Sequence, residues 1–212
     1  MPAQPPQGFD FTQRGIRMGH GVSAPAVAPA TSCNATGLTN GTTYTFTVRA
    51  RNVAGDSLAS APSLGLTPRT VPNTPGVVNG TVGDQSVQLG WSTPSDNGGS
   101  PITGYKVFQN PGGAQVCSNV IVPPAAAPST NCTVSGLTNG SNYTFTVKAT
   151  NVVGDSNASS PSATFTPRAA PTQPLNVVGT PGDQSITVSW DRPANDGGSA
   201  ITSYAVNQAG AG

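Results

Sequence analysis

Leu137-Thr138-Asn139-Gly140-Ser141-Asn142-Tyr143-Thr144-Phe145-Thr146-Val147-Lys148-Ala149-Thr150-Asn151 is the stretch that decides the fold. From Tyr143 onward it alternates. Tyr143, Phe145, Val147, Ala149 and Asn151 fall on one face, and Thr144, Thr146, Lys148 and Thr150 on the other. That period of two belongs to a strand buried on one side. Working outward, Val87, Leu89 and Trp91 alternate with Gln88 and Gly90, and Tyr105 and Val107 with Gly104 and Lys106. Turn signals separate the runs at Gly83-Asp84, Asn97-Gly98-Gly99, Asn139-Gly140 and Gly154-Asp155. About seven short strands in about 100 residues predict a β-sandwich.

The stretch also repeats. Cys33-Asn34-Ala35-Thr36-Gly37-Leu38 returns as Cys132-Thr133-Val134-Ser135-Gly136-Leu137, and Tyr44-Thr45-Phe46-Thr47-Val48 as Tyr143 to Val147. Trp91 returns as Trp190, and Gly98-Gly99-Ser100 as Gly197-Gly198-Ser199. Each pair lies 99 positions apart, since 132 − 33 and 190 − 91 are both 99. A constant period near the size of a domain implies tandem independent domains, because solenoid repeats are only about 20–50 residues long.

Composition agrees. Gly and Pro together number 26 + 21 = 47 of 212 residues, there is no Glu, and Lys106 and Lys148 are the only lysines. A helical protein would draw on Glu and Lys, which are good helix formers. The Thr, Ser, Val and Asn that replace them suit strands and turns. A net charge of +1 provides no basic surface for phosphates, so nucleic-acid binding is not expected. No apolar run reaches the roughly 18 residues needed to span a bilayer. Met1 to His20 has no apolar core of the signal-peptide kind.

As a set these motifs resemble the fibronectin type III family, in particular the Gly/Thr-rich repeats of bacterial secreted proteins. Trp91 stands where that family buries its strand-B tryptophan. Gly99 to Val107 resembles the loop into strand C, and Leu137 to Tyr143 the corner before strand F, where a Tyr hydroxyl bonds to upstream backbone. The resemblance implies an all-β chain of tandem immunoglobulin-like sandwiches, one complete and two partial. The expected boundaries are an unmatched segment at 1–22, the C-terminal half of a domain at 23–69, a complete domain at 70–168 and an N-terminal half at 169–212. Trp91, Tyr105, Leu137, Tyr143, Phe145 and Val147 are the expected structural core.

Cys117 and Cys132 enclose a Pro/Ala-rich segment within one copy, with no CxxC spacing and no nearby His. That argues against zinc. A disulfide is expected, with two buried free thiols as the alternative. It would place the chain in an oxidising compartment. Cys33 matches Cys132, but Met18 stands where a match for Cys117 would be, so Cys33 is expected to be an unpaired thiol.

Catalytic chemistry is not expected, and neither is a cofactor or a metal. The only His is His20, and all eight acids are Asp, mostly in turn contexts. Asp96-Asn97 and Asp155 are expected at one pole of the sandwich, but two carboxylates are few for Ca²⁺. Phe108 is the one aromatic expected to face outward, where it could serve a sugar. The expected function is a non-catalytic spacer or adhesive binding module, extracellular or at the cell surface. The alternative is the accessory region of a secreted polysaccharide-degrading enzyme. The expected partners are a protein or a polysaccharide, with no insertion into a membrane. The two half-domains could also pair head to tail between molecules, since each would expose an apolar sheet face.

Overall fold

The computed structural model describes residues 10–13, 16–19, 30–118 and 127–210, and among them every regular element is a strand. Two compact units result. The first is Met1–Thr70 with Gly98–Pro101, and the second is Val71–Asn97 with Ile102–Gly212.

The first unit carries β1 (Asp10–Gln13), β2 (Ile16–Gly19), β3 (Thr47–Arg49), β4 (Arg51–Asn52) and β5 (Gly55–Asp56). Its sheet runs in the order β2-β1-β3, and β4 pairs with β5. This corrects the expectation that 1–22 stands apart. Phe11 pairs with Val48 and with Met18, as Val107 pairs with Val147 and with Cys117 in the complete copy. Met18 therefore holds the ladder place of Cys117, 99 residues on, while Phe11 lies 107 − 11 = 96 residues from Val107. The β1–β2 hairpin is shorter than its counterpart, which breaks the constant spacing at β1.

The second unit contains β6 (Val78–Gly83), β7 (Ser86–Trp91), β8 (Gly104–Asn110), β9 (Gln115–Ser118), β10 (Asn131–Ser135), β11 (Thr144–Thr150), β12 (Leu175–Gly182) and β13 (Ser185–Asp191). One sheet is ordered β10-β7-β6 and another β11-β8-β9, and all pairs are antiparallel. The two sheets share one core. Val78, Val87, Leu89, Trp91 and Val134 from the first pack with Tyr105, Val107, Phe145, Val147 and Ala149 from the second. The alternation along β7 and β11 puts these side chains on the inner faces. β12 and β13 form a separate hairpin.

Two-residue turns close the β6–β7 and β12–β13 hairpins. Gly83 faces Ser86 across Asp84-Gln85, and Gly182 faces Ser185 across Asp183-Gln184. Gln85 and Gln184 adopt φ of 48° and 50°.

Candidate functional site

All six expected core residues are buried in one cluster: Trp91, Tyr105, Leu137, Tyr143, Phe145 and Val147. Trp91 meets Tyr105 edge to face, with ring centroids 5.4 Å apart. Burial raises the Tyr105 phenol above its ordinary value. The Trp91 indole Nε1 is a buried donor without a hydrogen-bond partner.

The corner before β11 forms as expected. The Thr138 N–H donates to the Tyr143 hydroxyl at 3.1 Å, and in the first unit the Thr39 N–H donates to Tyr44 at 2.9 Å. That bond holds the half-buried Tyr44 phenol below its ordinary value. Asn139 adds a clasp that the sequence reading missed. Its amide accepts from the Gln85 N–H and donates to Asp84, both at 2.8 Å. The Leu137 N–H donates to the Gln85 carbonyl at 3.0 Å, so this corner grips the β6–β7 turn.

Cys117 and Cys132 are disulfide-bonded, with Cα atoms 6.6 Å apart. The bond ties β9 to β10 and so joins the two sheets. Cys33 is free and exposed.

Asp155 does more than turn the chain. Its carboxylate pairs with Lys106 at 2.7 Å and accepts from the Thr150 hydroxyl at 2.7 Å. The Lys106 bond is the main cause of its lowered pKa. Both oxygens are thus engaged, which leaves little for a cation. Among the described residues, no cluster of three or more His, Cys, Asp or Glu is placed to hold a metal. No helix there is long and apolar enough to cross a membrane. Phe108 is half-buried, and Lys148 Nζ lies 5.8 Å from its ring centroid. The side chain best placed to stack on a sugar already lies under a cation.

A second missed feature follows β11. Residues 156–165 are not a regular strand, yet they cover its edge. Ser156, Ser159 and Ser162 each donate a backbone N–H, to the Ala149, Val147 and Phe145 carbonyls respectively, at 2.8–2.9 Å. Their hydroxyls accept the N–H of those same three residues at 3.0 Å. Each hydroxyl then donates to the next residue's carbonyl. Steps of three thus match strand steps of two. Ser57, Ser60 and Ser63 make the same ladder on Ala50, Val48 and Phe46. The signal was in the sequence as Ser-x-x-Ser-x-x-Ser, present twice.

This assembly is a module of two facing antiparallel sheets, pinned at its corner, its disulfide and its serine edge. The family model of the fibronectin type III domain matches residues 5–65 and 73–165, so the chain belongs to the fibronectin type III family. The first match includes β1 and β2, in line with their pairing to β3. Exoglucanase B of Cellulomonas fimi is 32% identical over 93% of the chain, and Endoglucanase B of the same organism 34% over 73%. Myomesin-2 of Homo sapiens is 33% identical over 81%. The chain spans only 18%, 14% and 12% of those proteins' lengths, respectively.

Proposed function

We propose that the chain is a spacer segment of a larger extracellular protein, setting the distance between functional parts that lie elsewhere in it. The observation that carries this reading is the 99-residue repeat of one self-contained sandwich, joined by linkers of a few residues. The disulfide supports an oxidising location. Two glucanases and Myomesin-2 share the module, which fits a part that serves its neighbours mechanically.

Exoglucanase B and Endoglucanase B also favour a narrower second reading, an accessory region of a secreted polysaccharide-degrading enzyme. Pulling on the purified chain, together with a sedimentation assay on an insoluble glucan such as cellulose, separates the two. The spacer reading expects a discrete unfolding step and no retention on the glucan. Retention that Phe108→Ala abolishes would favour the second. Absence of any unfolding step would overturn the first.

Self-association of the 212-residue chain belongs to the same proposal. The complete domain supplies the template, since Val87 and Leu89 are buried in one cluster with Phe145 and Val147. Ile186 and Val188 hold the places of Val87 and Leu89 but are exposed. Phe46 and Val48 in another molecule repeat the residues that would cover them, head to tail. Light scattering should show mass rising with concentration, and a constant monomer mass would overturn it.

A further inference from the structure

One contact is built from backbone and an Asn Cβ, and it occurs twice. Inside the second unit, the Asn139-Gly140 turn lies against the Gly197-Gly198 turn. A Cβ on Gly198 would sit 2.5 Å from the Asn139 carbonyl carbon and would also run into the Gly140 nitrogen. On the other side, a Cβ on Gly140 would lie 3.2 Å from the Gly198 Cα. Gly140 and Gly198 both have φ of 81°, a region that disfavours side chains in any case. Inside the first unit, Asn40-Gly41 meets Gly99 in the same way. A Cβ on Gly99 would sit 2.6 Å from the Asn40 carbonyl carbon.

The linker between the complete domain and the β12–β13 hairpin is bonded on both sides. On the near side, the Gly140 N–H donates to the Pro167 carbonyl at 2.9 Å and the Arg168 N–H to Gly83 at 3.2 Å. On the far side, the Ala169 N–H donates to Gly197 at 2.9 Å and the Thr172 N–H to Asn195 at 2.9 Å. In the first unit, the Gly41 N–H donates to Pro68 at 3.0 Å and the Thr70 N–H to Gly98 at 2.9 Å. A linker with its amides engaged on both sides is no flexible tether, whose ends would wander with the square root of its length.

We infer that the Asn139-Gly140 turn and the Gly197-Gly198 turn form a backbone socket that holds the β12–β13 copy at one fixed step from the complete domain. The partner of the Asn139-Gly140 surface is the following repeat. Recognition needs only the absence of side chains at Gly140 and Gly198 and the bonded linker. No side chain has to match across the joint, so a copy can follow any other that carries these turns. This rests on the joint geometry and holds whatever the array carries at its ends.

The test measures the step directly on the full chain. Gln88 and Thr187 occupy the same outward place in successive copies, 187 − 88 = 99 residues apart, and both are exposed. Gln88→Cys and Thr187→Cys in a Cys33→Ser background carry spin labels for pulsed distance measurement. The parent should give one narrow distance distribution. Gly198→Val should broaden it about two-fold or more, toward flexible-linker behaviour. Gly112→Ala is the control, because Gly112 also has positive φ (102°) but nothing within 4 Å of a Cβ. It should leave the distribution unchanged. If Gly198→Val disrupts the β12–β13 hairpin, a Gly-Ser-Gly-Ser insertion after Ala169 decides, since it keeps every native residue and should broaden the distribution equally. A broad distribution in the parent, or a narrow one in both variants, would overturn the inference.

Discussion

The complete domain and the β12–β13 hairpin use the same alternation in equivalent strands, yet their faces end in different places. Val78 is 4% exposed and Val177, 99 residues on, is 64% exposed. Val87 is fully buried, while Ile186 is 69% exposed. Leu89 is 1% exposed and Val188 36%. Alternation therefore decides which face of a strand is apolar, and only the opposite sheet decides whether that face is buried. From Val178 to Ser189 the pairing of β12 with β13 repeats the register of β6 with β7, and a bulge replaces the Val78–Trp91 pair. The missing partner sheet accounts for the difference.

The largest expected contrast lies at the repeated tryptophan. Trp91→Ala should destabilise the complete domain by about 3–5 kcal/mol, the usual range for deleting a buried aromatic. Trp190→Ala should leave the same unfolding transition in place, because Trp190 is outside that core. Denaturant titration of both variants, followed by circular dichroism, checks the contrast. Equal losses would mean that the hairpin and the domain unfold as one.

Reduction of Cys117–Cys132 comes next, with an expected loss of about 3 kcal/mol for a loop of this length. In a pulling experiment it should also lengthen the unfolding step by about 50 Å, at roughly 3.5 Å per released residue, for a sequence separation of 15. An unchanged step would mean that no bridge forms. Cys33 sharpens the comparison. Met18→Cys places a thiol at the ladder position of Cys117, so mass spectrometry of the oxidised variant should find Cys33 bridged to the introduced thiol.

A smaller contrast concerns the serine ladders. Ser159→Ala strips a buried Val147 N–H of its acceptor and should cost about 1–3 kcal/mol. Ser60→Ala removes the matching bond at an exposed position, where water can take over, and should cost a few tenths of a kcal/mol. Hydrogen exchange at Val147 and Val48 reads each loss separately.

The last contrast is electrostatic. The Lys106 ammonium holds Asp155 below its ordinary carboxyl pKa in the folded state. Its stabilisation is therefore complete above the unfolded-state value and fades as pH falls through the lowered folded value. Lys106→Gln should remove that acid-side dependence and cost about 0.5–1 kcal/mol near neutrality, as expected for a partly exposed pair. Thermal unfolding between about pH 7 and pH 2 checks it.

Legibility followed spacing. Tyr143 to Asn151 and Val87 to Trp91 announced their buried faces because a period of two is set by the backbone itself. The disulfide was legible because both Cys fall within one repeat. β1 and β2 were not, because a shortened hairpin moves Phe11 to an offset of 96 and so hides it from a search at 99. The serine ladder went unread, since a step of three belongs to neither helix nor strand. Lys106 and Asp155 are 49 residues apart, and only the pairing of β8 with β11 brings them together. The two glycine turns were read as local punctuation, though each also supplies half of a contact with a neighbouring turn.

The serine edge bears on how such a protein survives its own synthesis. Neighbouring copies that share Tyr-Thr-Phe-Thr-Val could exchange strands as they leave the ribosome, a known hazard of repeated domains. A regular outer strand would invite that exchange by offering a free row of evenly spaced amides and carbonyls. The covering segment instead advances three residues for every two of the strand beneath it. Its outer side therefore carries no spacing that another strand can match, and each copy is shielded from its twin by arithmetic rather than by charge.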